Sequence, residues 1–355
     1  MCTIKAPRSI GLSTNYITQT LPNETVCDYI VLDIVQAQDG SYNQTHYYFL
    51  RNLSSKYLFT LTPSATLTQL EATVSASPFL NSASRIRQVL DLRGFGILPS
   101  VPLVPQQWTI GNTNTLRSIY QNLRNVLTTV NASSVYNFYA ITAHFLSRDY
   151  YQYERFMQEI NGVADMVIVL TIADTSTLEA EAPSSWDKSC FFNSRQPPLQ
   201  EAVFLIDSVQ SPQNHFALTL TLRMDVFIGV NITDIQQQRA TASLAGVRST
   251  SRSSASFETE CVSGVYTRGA FLMYFPFGSC VFAKYSYGSL SGVATFDTAT
   301  TIQMKMKRAI GMLIQRNASS RVVMGWLAHD VTFNLAPPTC GGKWSRLLKM
   351  RQVIG

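Results

Sequence analysis

Apolar residues in this chain repeat with two different periods, and each period holds its own stretches. Over Thr115–Val130, Leu116, Ile119, Leu123, Val126, Leu127 and Val130 fall at helical spacing, which defines one buried face. Over His215–Ile232, Phe216, Leu218, Leu220 and Leu222 alternate with polar residues at period two, the mark of a strand. A chain with both patterns must bury sheets against helices. No apolar run approaches the 18 residues of a membrane span, so none is expected.

The order of segments refines this picture. "DYIVLDIVQ" (Asp28–Gln36), "HYYFL" (His46–Leu50) and "KYLFTLT" (Lys56–Thr62) read as strands, the first two flanking a turn at Gln38–Ser41. "SRIRQVLDLR" (Ser84–Arg93) reads as a helix with Gly94 as a left-handed cap. Three prolines in Leu98–Trp108 favour an extended crossing, and Tyr136–Ile160 reads as a second long helix. "MVIVLTIA" (Met166–Ala173) is a fully buried strand, and Cys261–Tyr287 reads as a meander. Strands and helices do not alternate strictly, so a doubly wound sheet is not expected. The expected fold class is α+β, mixed, with antiparallel β-sheets and several amphipathic helices. It forms a single large domain over 1–355, mainly β over 1–110, helical over 111–162, mainly β over 163–297, with a basic helical region over 298–355.

Chemistry-bearing motifs are sparse. There is no G-x-S-x-G and no phosphate-binding glycine loop, and "RGFG" (Arg93–Gly96) lacks a third glycine. Glu179, Glu181 and Asp187 form a carboxylate cluster, read as a solvated loop. His329–Asp330 is a His–acid pair that would need a distant nucleophile such as a Cys, and it predicts a concave pocket around His329. Arg248 and Arg252 in the Ser-rich stretch Val247–Ser256 read as part of a polar connecting loop. The six cysteines (Cys2, Cys27, Cys190, Cys261, Cys280, Cys340) show no close pair, which reads as buried free thiols in a reducing compartment. Six N-x-S/T sequons, at Asn23, Asn43, Asn52, Asn131, Asn231 and Asn317, read as incidental, because "MCTIKAPRSIGLSTNY" offers no secretory signal. No catalytic residue, metal site or cofactor is expected.

Charge gives the strongest functional signal. Only 14% of residues are charged, and 107 are Ser, Thr, Asn or Gln. Neutral polar side chains cost less to bury against a neighbour than charges do. Residues 298–355 hold nine Lys or Arg against the single acid Asp330. Thr301–Asp330 reads as an amphipathic helix with Lys305, Arg308 and Arg316 on its outer face, and the tail from Gly341 to Gln352 repeats the theme. Lys305, Lys307, Arg308, Arg316, Arg321, Lys343, Arg346, Lys349 and Arg351 are therefore the candidate contacts to nucleic acid or to an acidic protein. A membrane surface is the third option for such a tail.

In its balance of many neutral polar and few charged residues, the chain resembles viral capsid and shell proteins, and among them the clamp proteins that cement turreted double-stranded RNA viruses. That resemblance implies a non-enzymatic structural subunit that braces neighbouring shell proteins and copies of itself, with RNA in its vicinity, in a virion assembled in the host cytoplasm. The alternative is a nucleic-acid-binding nucleoprotein that uses the basic C-terminal region.

Overall fold

A computed structural model describes residues 1–5, 21–34, 36–51, 53–62, 66–98, 110–128, 135–142, 150–172, 178, 180, 182, 184–187, 198–241, 247–256, 273–275, 279–287, 289–316, 322–329, 331 and 344–354. Eight strands run parallel and close on themselves: β1 (Cys2–Lys5), β2 (Ile30–Asp33), β3 (Lys56–Leu61), β4 (Asp91–Ile97), β5 (Phe138–Thr142), β6 (Met166–Leu170), β7 (His215–Thr221) and β13 (Met324–His329). Parallel neighbours need crossover connections, and helices supply them. They are α1 (Leu67–Ser75) and α2 (Ser77–Val89) before β4, α3 (Ile110–Thr128) before β5, α4 (Tyr150–Glu159) before β6 and α5 (Leu199–Asp207) before β7. This is an eight-stranded β/α barrel.

Between β7 and β13 the chain leaves the barrel. It builds a five-stranded antiparallel sheet from β8 (Arg223–Ile228), β9 (Ser251–Ser256), β10 (Met273–Phe275), β11 (Cys280–Tyr287) and β12 (Leu290–Phe296), in the order β10-β11-β12-β8-β9, with α6 (Ile232–Thr241) alongside. It returns through α7 (Ala299–Gln315), and α8 (Ser345–Ile354) follows β13. The expected class of antiparallel α+β is thereby corrected. Among the described residues, antiparallel pairing is confined to the insertion, and the body of the chain is a parallel barrel.

Strand parity explains the packing. Ile30, Leu32, Tyr57, Phe59, Val167, Val169, Phe216, Leu218 and Trp326 point outward into the helix-covered core. Val31, Leu58, Phe138, Ala140, Met166, Ile168, Ala217 and Leu327 point inward and fill the barrel. Gly96 is required here, because a Cβ on it would lie 2.4 Å from the ring of Phe138. The barrel closes on a thin seam, with one registered pair, Cys2 to Ala328, joining β1 to β13. A disulfide joins Cys2 to Cys27 across this region, and Cys280 is also disulfide-bonded. The reading of free thiols in a reducing compartment is corrected accordingly. Cys190, Cys261 and Cys340 lie outside the described residues, as do the sequon asparagines Asn52, Asn131 and Asn317.

Several sequence expectations change with this architecture. Tyr136–Ile160 is not one helix: β5 and α4 divide it, since β5 buries Phe138 and Ala140 on one face and Tyr139 and Ile141 on the other. "HYYFL" forms two short 3-10 turns, not a strand. Gly94 lies inside β4 and caps no helix; α2 ends earlier, at Val89. Arg252 lies on β9 rather than in a loop. Among the described residues, no helix is long and apolar enough to cross a membrane.

The buried phenols predict alkaline instability. Burial raises the pKa of Tyr57 to about 12 and holds Tyr42 and Tyr120 well above the usual phenol range. Tyr42 donates to the Thr60 carbonyl at 2.7 Å and Tyr120 to that of Phe138 at 2.5 Å, bonds made by the neutral form. A folded pKa above the unfolded value contributes stability that is intact below pH ~10 and lost as pH rises beyond it. Burial lowers the Lys305 pKa, which works in the opposite direction, but Tyr47, Tyr136 and Tyr139 are raised as well and outweigh it. Thermal melts from pH 8 to 11.5 are expected to fall steeply above pH ~10. The substitution Tyr57→Phe is expected to soften that fall, and a flat profile would contradict the assignment.

Candidate active site at the barrel mouth

In a β/α barrel, function gathers at the C-terminal ends of the strands, where loops project from a rigid ring. Alternation along each strand puts Asp33 (β2), Thr60 (β3), Leu98 (just after β4), Leu170 (β6), Thr221 (β7) and His329 (β13) on the inward side at that end. Asp33 is half-buried. Its Oδ1 lies 3.2 Å from the Thr60 hydroxyl, which also accepts from the Ile34 amide at 3.1 Å. The shared hydroxyl fixes the carboxylate on the rim. His329 lies two strands away across β1, so roughly 10 Å separates the two strands at strand spacing of about 4.8 Å. On β4, the inward positions Gly94, Gly96 and Leu98 carry no ionisable group. Among the described residues, no group of three or more His, Cys, Asp or Glu is placed to hold a metal ion.

Buried charges brace the inserted sheet and its junctions with the rest of the chain. Asp225 receives Arg223 Nε at 2.9 Å, Arg252 Nη2 at 2.7 Å and the Ser254 hydroxyl at 3.0 Å. Arg346 on α8 donates to the carbonyl of Leu222, where the chain leaves the barrel, at 2.6 Å, and to that of Asp297, where it returns, at 3.0 Å. Lys305 donates to the Ser184 carbonyl at 2.7 Å and pairs with Asp297. Burial pushes the Lys305 pKa down, and the Asp297 carboxylate pulls it back up.

The basic residues singled out from sequence differ in their surroundings. Lys305 is 0% exposed and Arg346 2%, both committed to the contacts just described. Arg308 donates to the Ser279 hydroxyl at 2.9 Å and lies over Trp186. Arg316 pairs with Asp207, and Arg351 with Asp28 at 2.6 Å. Lys349 donates to the Gln352 side chain at 3.2 Å, and Lys307 is exposed. Arg321 and Lys343 lie outside the described residues, as do Glu179, Glu181 and Asp330. Of the described basic residues, Lys305 and Arg346 are thus internal, and the other five keep partly or fully exposed side chains. The charge excess was legible as a pattern, but a helix wheel cannot show that a Lys has a buried carboxylate opposite it. Asp33 was missed because it ends an apolar run, "IVLD", and looks like a boundary. Its signal appears only once β2 is known to be a parallel barrel strand, whose C-terminal end faces the mouth.

No family model matches the sequence, and no curated protein matches it. Solved structures do match in fold. A glycoside hydrolase family 18 N-acetylglucosaminidase from Paenibacillus barengoltzii aligns at TM-score 0.65 and 11% identity, covering 99% of each chain. The C-terminal domain of a putative chitinase from Desulfitobacterium hafniense aligns at 0.63 and 12%, covering 100% of this chain and 99% of that one. The chitinase-like agglutinin of Robinia pseudoacacia aligns at 0.61 and 12%, covering 99% and 98%. The chain thus shares its fold with these chitinase-like barrels over nearly its full length. The resemblance to viral shell proteins is corrected, and the expectations of a capsid-bracing subunit, of a non-enzymatic chain and of a virion location fall with it. They rested on composition, and a surface rich in neutral polar groups is equally compatible with a disulfide-bonded barrel.

Proposed function

We propose that this chain recognises a chitin-type oligosaccharide of N-acetylglucosamine in the C-terminal mouth of its barrel. The observation that carries this reading is the match to chitinase-like barrels over nearly the full length of the chain. The mouth offers suitable chemistry. Asp33 and His329 present polar groups to sugar hydroxyls and the acetamide, above the apolar plug of Leu58, Phe138, Ile168 and Leu327.

Cleavage of a glycosidic bond needs a carboxylic acid to protonate the leaving oxygen. A second carboxylate is dispensable when the substrate's own acetamide assists. Asp33 is the group placed for that proton transfer. The substitution Asp33→Asn is expected to lower turnover of N-acetylchitotetraose by about a hundredfold or more while leaving affinity within a few-fold. A second reading, capture without cleavage, is favoured by the uncharged inward face of β4. It predicts that wild type and the Asp33→Asn variant bind the tetrasaccharide equally and release no shorter sugar. Calorimetry with product analysis separates the two. Absence of saturable binding to N-acetylchitotetraose would remove both.

A further inference from the structure

We propose that Asn23, Asn43 and Asn231 carry N-linked glycans. Each begins an N-x-T sequon, and each side chain is exposed on a different loop: before β2, before β3, and at the start of α6. Their local geometry is alike. Asn23 Oδ1 accepts from the Thr25 hydroxyl at 2.6 Å. Asn43 Oδ1 accepts from the Thr45 hydroxyl at 2.8 Å and the Thr45 amide at 3.0 Å. Asn231 Oδ1 accepts from the Thr233 amide at 3.2 Å. In all three the amide oxygen turns back to the Thr two residues on, which leaves Nδ2 out of these bonds.

A second, independent observation points the same way. Cys2, Cys27 and Cys280, the described cysteines, are all disulfide-bonded. Disulfides form and persist in oxidising compartments, and N-glycosylation takes place in one of them. The surface supplies a reason. With 14% charged residues, this chain has little charge to keep it soluble, and a hydrated glycan compensates for that.

The transfer is chemically complete with one co-reactant, a lipid-pyrophosphate-linked oligosaccharide. Nδ2 attacks C1 of the terminal sugar, the bond from C1 to the pyrophosphate oxygen breaks, Nδ2 loses one proton, and the lipid pyrophosphate leaves. There is no change in oxidation state.

The test uses the full chain, directed through a eukaryotic secretory pathway by an added signal and collected folded with its disulfides formed. Enzymatic deglycosylation in heavy-oxygen water is expected to convert Asn23, Asn43 and Asn231 to labelled Asp, seen by peptide mass. Each of the substitutions Asn23→Gln, Asn43→Gln and Asn231→Gln is expected to remove one glycan from the intact mass. Substitution of Thr25, Thr45 or Thr233 by Ala, which leaves the Asn in place, is expected to do the same. A secreted, disulfide-bonded chain with all three asparagines unmodified overturns the proposal. So does a glycan that persists after the matching Thr substitution.

Discussion

Replacing Asp225 with alanine is expected to destabilise the protein by about 3–5 kcal/mol, the usual cost of breaking a buried ion pair. The magnitude follows from what remains. Asp225 is 0% exposed and answers both Arg223 and Arg252, whose side chains are 5% and 3% exposed. Without the carboxylate, the guanidinium groups of Arg223 and Arg252 stay buried and lose their bonds to it. Arg223 and Asp225 lie on β8 and Arg252 and Ser254 on β9, so the pairing of these two strands should loosen first. Chemical denaturation with probes on the sheet and on the barrel tests this. Substituting Asp225, Arg223 and Arg252 together by apolar residues of similar size should recover much of the loss, since it removes the buried cations along with the carboxylate. If Asp225→Ala melts within about 1 kcal/mol of wild type, the cluster does not hold β8 to β9.

The second large effect concerns the seam. Removing the Cys2–Cys27 bond, with both cysteines changed to alanine, is expected to cost about 3 kcal/mol, from the loop entropy that a cross-link takes from the unfolded chain. The enclosed span is 25 residues. The effect should concentrate at the seam, because β1 meets β13 through the single pair Cys2 to Ala328, whereas β13 meets β7 through six. Hydrogen exchange should therefore rise in β1 and β13 well before it rises in β6 and β7. Uniform loosening of all eight strands would show that the disulfide acts on the unfolded chain alone and does not hold the seam.

Much of the fold was legible element by element and illegible as a whole. The strand at Lys56–Leu61, the strand at Met166–Leu170, the alternating strands from His215 and the helix ending at Thr128 all follow from local period and composition. Their assembly does not. Parallel barrel strands are buried on both faces, so β5 shows no alternation, and its aromatic residues merged with the helix that follows it. The inserted sheet adds five antiparallel strands between β7 and β13, and this broke the rhythm of strand and helix that marks a barrel. The basic C-terminal stretch shows the limit most sharply. Its amphipathic period was real, and α7 does bury Ile302, Met306, Ala309 and Leu313. Lys305 nevertheless lies on the buried side, because Asp297, eight residues earlier, reaches it from the end of β12. Pairings across such turns depend on three-dimensional closure, which charge counting along the chain does not encode.

The most direct test of the central claim is a crystal structure of the wild-type chain soaked with N-acetylchitotetraose. The expected result is sugar density at the C-terminal end of the barrel, between Asp33 on β2 and His329 on β13, with a hydroxyl or acetamide within hydrogen-bond reach of the Asp33 carboxylate. Density elsewhere on the molecule, or an empty mouth at saturating sugar, would contradict the claim.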